Sequence, residues 1–376
     1  EAYFGIPISG AVLHTLNLRL HPSDLAFIAS HAGDKVLIVD ESLLPLLESF
    51  RSDVPFEHVI VVRSTSQPLP PGMLDYEQLL AAVDPASFQY PDLDEYHAAA
   101  MCYTSGTTGK PKGAVFNHYC HLSIGTAMLA EVSIGEQDRI LHAAPLFHSA
   151  ELHLYLWPGT FMGATHVVMK FFIPKLTLET VEKERITQFF GPPAMFLLMM
   201  QEPDFEKYDL SSVKYWAYGA APMSREQVLK AIDMFKTDRF FCLCGLTEGG
   251  PGGVRLRPED QVAKAGAGGL PVVNCECKVV NEEGEKVKVG EVGEWLVRCE
   301  SNMLYYYKNP EETATTLTPD GYVRTGDLAV VDDDGYVTLV DRKKDMIISG
   351  GENVYPKEIE NALYEHEAVA ECAVFG

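Results

Sequence analysis

The chain has 376 residues, enough to bury a large core and to form at least two domains or subdomains. Thirty basic residues stand against fifty-three acidic ones, and the resulting formal charge of −23 argues against nucleic acid or an anionic membrane as the main partner. The eight cysteines show neither a disulfide framework nor zinc-site spacing, so the groups at His118, Cys120 and His121, at Cys242/Cys244 and at Cys275/Cys277 read as structural, in a cytoplasmic or organelle-matrix protein.

Short apolar strands alternate with helical stretches from the start. Pro22 opens a helix with Leu25, Ile28 and Ala32 on one face, residues 36–39 form a buried strand, and Leu43, Leu44, Leu47 and Phe50 mark the next helix. Strand 58–62, a Pro-rich loop at 68–72 and strand 98–103 follow. The alternation resumes with helix 118–131, strand 138–143, helix 149–157, strand 165–169, helix 175–186, strand 187–190, helix 192–201 and strand 213–218. Helix 224–235 is opened by a capping box from Ser224 to Gln227 and turns Val228, Ile232 and Phe235 inward. Such alternation implies parallel sheets covered by helices. The uncharged run from Leu152 to Met169 reaches the lower edge of a membrane span, but its histidines, proline and glycines suit a helix, a turn and a strand, so no transmembrane segment is expected. After about residue 265 the pattern changes: strands 275–280 and 293–298 and a hairpin turned at 332–335 predict a smaller antiparallel unit. Residues 343–376 read as strand, glycine turn, a helix with Ile359, Ala362, Leu363 and His366 on one face, and a strand at 372–375. With Glu1 rather than Met at the start and a strand at the very end, truncation at both ends is expected.

Residues 103–113, Tyr-Thr-Ser-Gly-Thr-Thr-Gly-Lys-Pro-Lys-Gly, carry the densest chemistry. Glycines let successive N–H groups converge on an anion, while hydroxyls and ammonium groups add donors and charge. A Walker loop is excluded, because only two residues separate Gly106 from Gly109-Lys110 and Pro111 occupies the Ser/Thr place. Thr247 and Glu248 follow the apolar strand 239–243, at the strand end where α/β enzymes place ligands, and a carboxylate there can hold Mg²⁺; taken alone the pair is a helix cap. Gly219, Ala220 and Ala221 leave room for a flat base or an acyl chain, or simply make a tight turn. Asp327, after Gly326, can accept from both hydroxyls of a ribose; a lone Gly-Asp is a turn. The mixed charges at 341–345 would otherwise be a solvated face.

In this order and context the segments resemble the adenylate-forming superfamily of acyl-CoA synthetases, luciferases and peptide-synthetase adenylation domains, over residues 103–353. The resemblance implies an α/β fold: a large N-terminal domain (1–340) of helix-covered, mainly parallel sheets with a smaller antiparallel β subdomain at about 265–340. A hinge and the start of a small α+β C-terminal domain would follow at 341–376. It implies ATP, Mg²⁺ and coenzyme A. Thr104, Ser105, Gly106, Thr107, Thr108, Gly109 and Lys112 would hold phosphates; Gly219, Ala220, Ala221, Cys244 and Gly245 would line the base, with Cys244 where the family carries an aromatic residue. Thr247 would contact the α-phosphate and Glu248 the metal, Asp327 and Arg342 the ribose, while Asp341 would absorb the hinge rotation and Gly350 and Gly351 would line the thiol channel. Thr104, Lys112, Thr247, Glu248 and His148 are the catalytic candidates.

The implied chemistry is attack of a carboxylate on the α-phosphorus of ATP, then transfer of the acyl group to a thiol. Residues 145–149 and 152–169 contain no Lys, Arg or Asp, and His148 stands where peptide-synthetase domains carry the Asp that holds an amino group. The expected substrate is therefore an apolar, medium- or long-chain fatty acid with His148 as gate or pocket wall, and the opening residues 13–20 are similar to fatty acyl-CoA ligases. An aryl acid is the alternative. The family's C-terminal lysine is not among these residues, so a nucleotide-binding chain without full ligase activity is the competing expectation.

Overall fold

A computed structural model describes residues 1–104, 110–221, 223–349, 352–364, 366, 369 and 372–376. It divides into two compact units, residues 1–118 with 306–309, and residues 119–305 with 310–376.

The first unit holds two sheets. The helix Pro22–Ala32 starts at His21, whose ring accepts from the Ser23 amide, and stops at Gly33 in the left-handed region. It buries Leu25, Ala26 and Ala29 against Leu47, Phe50, Val59 and Val61. Strands β2 (Val36–Asp40), β3 (His58–Val62) and β4 (Leu74–Asp75) form a parallel sheet over this core. The other sheet pairs β1 (Leu13–Thr15) in parallel with β5 (Ala98–Thr104), and β5 in antiparallel with β6 (Lys112–Asn117). Its order is β1-β5-β6-β16, the last being Tyr305–Tyr306. The strand β6 was unforeseen from sequence.

In the second unit a seven-stranded sheet runs in the order β13-β12-β11-β10-β9-β7-β8. Strands β7 (Arg139–His142), β8 (Thr165–Val168), β9 (Gln188–Gly191), β10 (Tyr215–Gly219) and β11 (Phe240–Gly245) are parallel; β12 (Gly253–Leu256) and β13 (Leu270–Pro271) turn antiparallel. Phe189, Phe196, Trp216, Phe235 and Phe240 interlock at the core. The helix expected at 149–157 is a short α-turn, Ser149–Glu151, a π-turn over Leu152–Leu156 and a further α-turn at Trp157–Phe161. An antiparallel sheet of order β14-β15-β17-β18 follows: Cys275–Val280, Gly293–Cys299, Val323–Val331 and Val337–Arg342. A two-stranded piece, β19 (Ile347–Ser349) with β20 (Glu352–Val354), precedes the helix Pro356–Tyr364. Residues 372–376 carry no strand, contrary to expectation, and Ile359 and Leu363 are exposed.

The cysteine expectation is corrected. Cys275 and Cys299 are disulfide-bonded. Antiparallel pairing of β14 with β15 sets them directly opposite one another across 24 residues, a relation that linear spacing does not display.

Candidate functional site

Parallel pairing sets Gly219 of β10 opposite Leu243 of β11, so both strands deliver their carboxyl ends to the same edge of the sheet. Gly219 is obligatory there, since a Cβ would lie 2.1 Å from the Leu243 carbonyl oxygen. The chain then turns through Ala220, a non-glycine residue with φ of 63°, and leaves Ala220 and Ala221 exposed. Cys244 is buried, its sulfur 3.6 Å from that of Cys242, and both line a recess with Tyr218, Met223, Gly268 and Leu339. Gly245 lies exposed at the strand end.

Thr247–Gly249 form one 3₁₀ turn. The Ser149 hydroxyl donates to Thr247 Oγ1 at 3.4 Å, the Met303 amide donates to the Glu248 carbonyl at 2.8 Å, and the Gly250 amide closes on the Thr247 carbonyl at 2.9 Å. The register of β17 with β18 places Asp327 opposite Arg342, with Nε 2.8 Å from Oδ1. Asp327 is mostly buried while Arg342 is exposed. Burial raises the Asp327 pKa, and the charges of Glu248 and Glu294 raise it further against the pull of Arg342. Glu248 and Asp327 therefore occupy one electrostatic neighbourhood. Glu294 is itself paired with Arg324 at 3.1 Å and Lys343 at 3.6 Å.

In the first unit, Thr104 and Lys112 are opposite partners at the mouth of the β5–β6 hairpin. Lys112 is buried with Nζ 4.7 Å from the centre of the Tyr306 ring. Tyr103 is anchored by a 2.6 Å hydrogen bond between its hydroxyl and His31 Nδ1, and its ring lies 5.0 Å from that of His14, which is paired with Asp34. Ser105, Gly106, Thr107, Thr108 and Gly109, like Gly350 and Gly351, lie outside the described residues.

His148 is exposed at the N-terminus of the short turn Ser149–Glu151, its ring 4.7 Å from that of Phe147. The residues after it are less apolar than their composition suggests. Glu151 is buried and meets His142 Nδ1 at 2.5 Å, and His142 Nε2 meets His166 Nδ1 at 2.7 Å. Burial raises the Glu151 pKa against the pull of His142, and lowers that of His166 to about 4 together with His142. Sequence patterning also missed Ser149, His31, Ser301 and Glu294; their partners lie on other elements, and only Ser149 stood in a segment of chemical interest.

The donor chemistry fits Mg²⁺ in the form that ion takes with nucleotides: one carboxylate, Glu248, beside a hydroxyl, Thr247, with phosphate oxygens completing the shell. Among the described residues no group of three or more His, Cys, Asp or Glu gathers as an all-protein cage.

The family model for AMP-binding enzymes matches residues 1–307. The chain belongs to the AMP-binding enzyme family, the adenylate-forming acid–CoA ligases. It is 36% identical over its whole length to a feruloyl-CoA synthase of Amycolatopsis sp, covering 72% of that protein. Against a long-chain-fatty-acid–CoA ligase of Thermus thermophilus it is 34% identical over its whole length, covering 70% of the relative. Among solved structures, the anthranilate CoA ligase AuaEII in complex with anthranoyl-AMP superposes with a TM-score of 0.92 at 29% identity, over all of this chain and 72% of that one. This family's α/β fold, with parallel and antiparallel sheets, is the one predicted. No helix among the described residues is long and apolar enough to cross a membrane.

Proposed function

We propose that the protein activates an apolar carboxylic acid, a medium- or long-chain fatty acid, in two steps. The acid's carboxylate oxygen attacks the α-phosphorus of ATP, the bond to the β-phosphate oxygen breaks, and acyl-AMP and pyrophosphate form. The sulfur of coenzyme A then attacks the acyl carbon, AMP leaves, and the thiol proton passes to solvent. The observation that carries the adenylation is the delivery of β10 and β11 to one sheet edge, with Thr247 and Glu248 in the 3₁₀ turn that follows β11, in a chain of this family.

The roles follow chemical type. Thr104, Ser105, Gly106, Thr107, Thr108, Gly109 and Lys112 cradle the phosphates, and Thr247 donates to the α-phosphate. Gly219, Ala220, Ala221, Cys244 and Gly245 make the floor for the base. Asp327 and Arg342 take the ribose, so the 2.8 Å ion pair between them must open or share its oxygens when nucleotide arrives. Mg²⁺ held by Glu248 would supply charge neutralisation on the phosphate oxygens. The carboxylate is already a nucleophile, so no general base is needed for the first step. His148 is the pocket wall, and Gly350 and Gly351 the thiol path. Residues 1–340 form the adenylating domain, and the chain from Asp341 begins a second one. Asp341 is suited to a joint, because its carboxylate accepts from both the Arg342 amide at 2.7 Å and the Lys357 amide at 2.9 Å. A cytoplasmic setting matches these substrates.

An aryl acid is the second reading, favoured by the likeness to a feruloyl-CoA synthase and to the anthranilate ligase. Pyrophosphate exchange with octanoate, palmitate, benzoate and ferulate separates the two: fastest exchange with the alkyl acids is expected, and preference for ferulate or benzoate replaces the fatty acid with an aryl one. ATP binding without exchange for any acid would mark a chain that binds nucleotide and does not adenylate. Glu248→Gln should lose the Mg²⁺ dependence of ATP binding, and Asp327→Ala should weaken ATP by about 2 kcal/mol.

A further inference from the structure

The backbone carbonyls around Glu248 are held in sequence. The Thr247 carbonyl accepts from the Gly250 amide and the Glu248 carbonyl from the Met303 amide, so both peptide planes flanking the Glu248 Cα are held, and with them the direction of its Cα–Cβ bond. The next carbonyl, that of Gly249, accepts from the Gly252 amide at 2.9 Å within the turn and from the Ser301 hydroxyl at 2.6 Å from outside it. Ser301 is 1% exposed, so its hydroxyl meets this carbonyl away from bulk solvent. Gly250 has φ of 74°, and a Cβ there would sit 2.0 Å from the Ser301 carbonyl oxygen. The segment bearing Ser301 is braced in turn. Asn302 Oδ1 accepts from the Cys299 amide at 3.2 Å and Nδ2 donates to the Gly321 carbonyl at 3.1 Å, while the Cys275–Cys299 disulfide lies against Gly252 at the other end of the turn.

We propose that Ser301 is a positioning residue for Glu248, setting the affinity of the nucleotide site for divalent magnesium without touching nucleotide or metal. The role rests on Glu248 being the magnesium carboxylate. Removing the Ser301 hydroxyl leaves the Gly249 carbonyl with the Gly252 amide as its donor and unties the turn from the segment at 301; the turn gains freedom, and the backbone that carries Glu248 gains it too.

Calorimetric titration of ATP into the whole protein, with and without Mg²⁺, tests this. For Ser301→Ala the Mg²⁺ concentration giving half-maximal enhancement of ATP binding should rise about tenfold, while ATP binding in the presence of EDTA stays at the wild-type value. A purely structural defect would weaken binding by the same factor with and without metal, and that result overturns the proposal. Asn302→Ala, which loosens the brace from a less buried position, should shift the Mg²⁺ requirement in the same direction, and it carries the test if Ser301→Ala does not fold. Wild-type protein whose ATP binding ignores Mg²⁺ would remove the Glu248 assignment itself. Mg²⁺-dependent wild type with both variants unchanged would remove Ser301 alone.

Discussion

Asp327, the proposed ribose acceptor, shows how a buried carboxylate can burden the fold that carries it. Burial and the charges of Glu248 and Glu294 outweigh the exposed Arg342, so its pKa lies above that of an ordinary aspartate. The unfolded chain therefore releases this proton at lower pH than the folded one. Between the ordinary and the raised value the native state binds more protons, and stability falls as pH rises through that window, then levels off. Asp327→Asn should remove this slope. Urea midpoints should show the variant no less stable than wild type at neutral pH, even though its ATP affinity drops; a clear loss of stability at neutral pH would show that the Arg342 pair dominates instead. From sequence, Asp327 stood out as a candidate ribose acceptor by its Gly-Asp context, whereas its acidic neighbours did not. Glu294 lies on β15, and only the β15–β17 register brings it near. Ser301 was hidden for the same reason.

At the scale of elements, the patterns that survived were those with local causes. The helix Arg225–Phe235 has the predicted capping box, with the Ser224 hydroxyl accepting from the Gln227 amide and the Gln227 side chain accepting from the Ser224 amide, and Val228, Ala231 and Phe235 face the core. Ser224→Ala should cost about 1 kcal/mol, measured by urea unfolding, with no change in ATP affinity if the helix only supports the sheet. Where tertiary context decides, patterning failed. The strand β6 is buried along its whole length, so it has no alternation to display, and the π-turn at Leu152–Leu156 interrupts a stretch that reads as one helix. The chain of Glu151, His142 and His166 joins residues from a helical turn and two parallel strands, an association that no linear motif announces.

Across the whole molecule, each unit has a core of its own. Leu25, Phe50, Val59 and Val61 pack together in the first; Phe189, Phe196, Trp216 and Phe240 pack together in the second. Alternation of strand and helix was enough to foresee layered α/β sheets, but the division after residue 118 was not, since residues 306–309 return to the first unit from far along the chain. Two internally packed units need not unfold as one. Scanning calorimetry of the apo protein should give a calorimetric enthalpy larger than the van't Hoff value, the mark of more than one cooperative block. Saturating Mg²⁺-ATP at about a hundred times its dissociation constant would stabilise the binding-competent state by about 2.7 kcal/mol, and should raise the transition of whichever block must be folded to bind it. A single transition in the apo protein with matching enthalpies would mean that the two cores unfold as one.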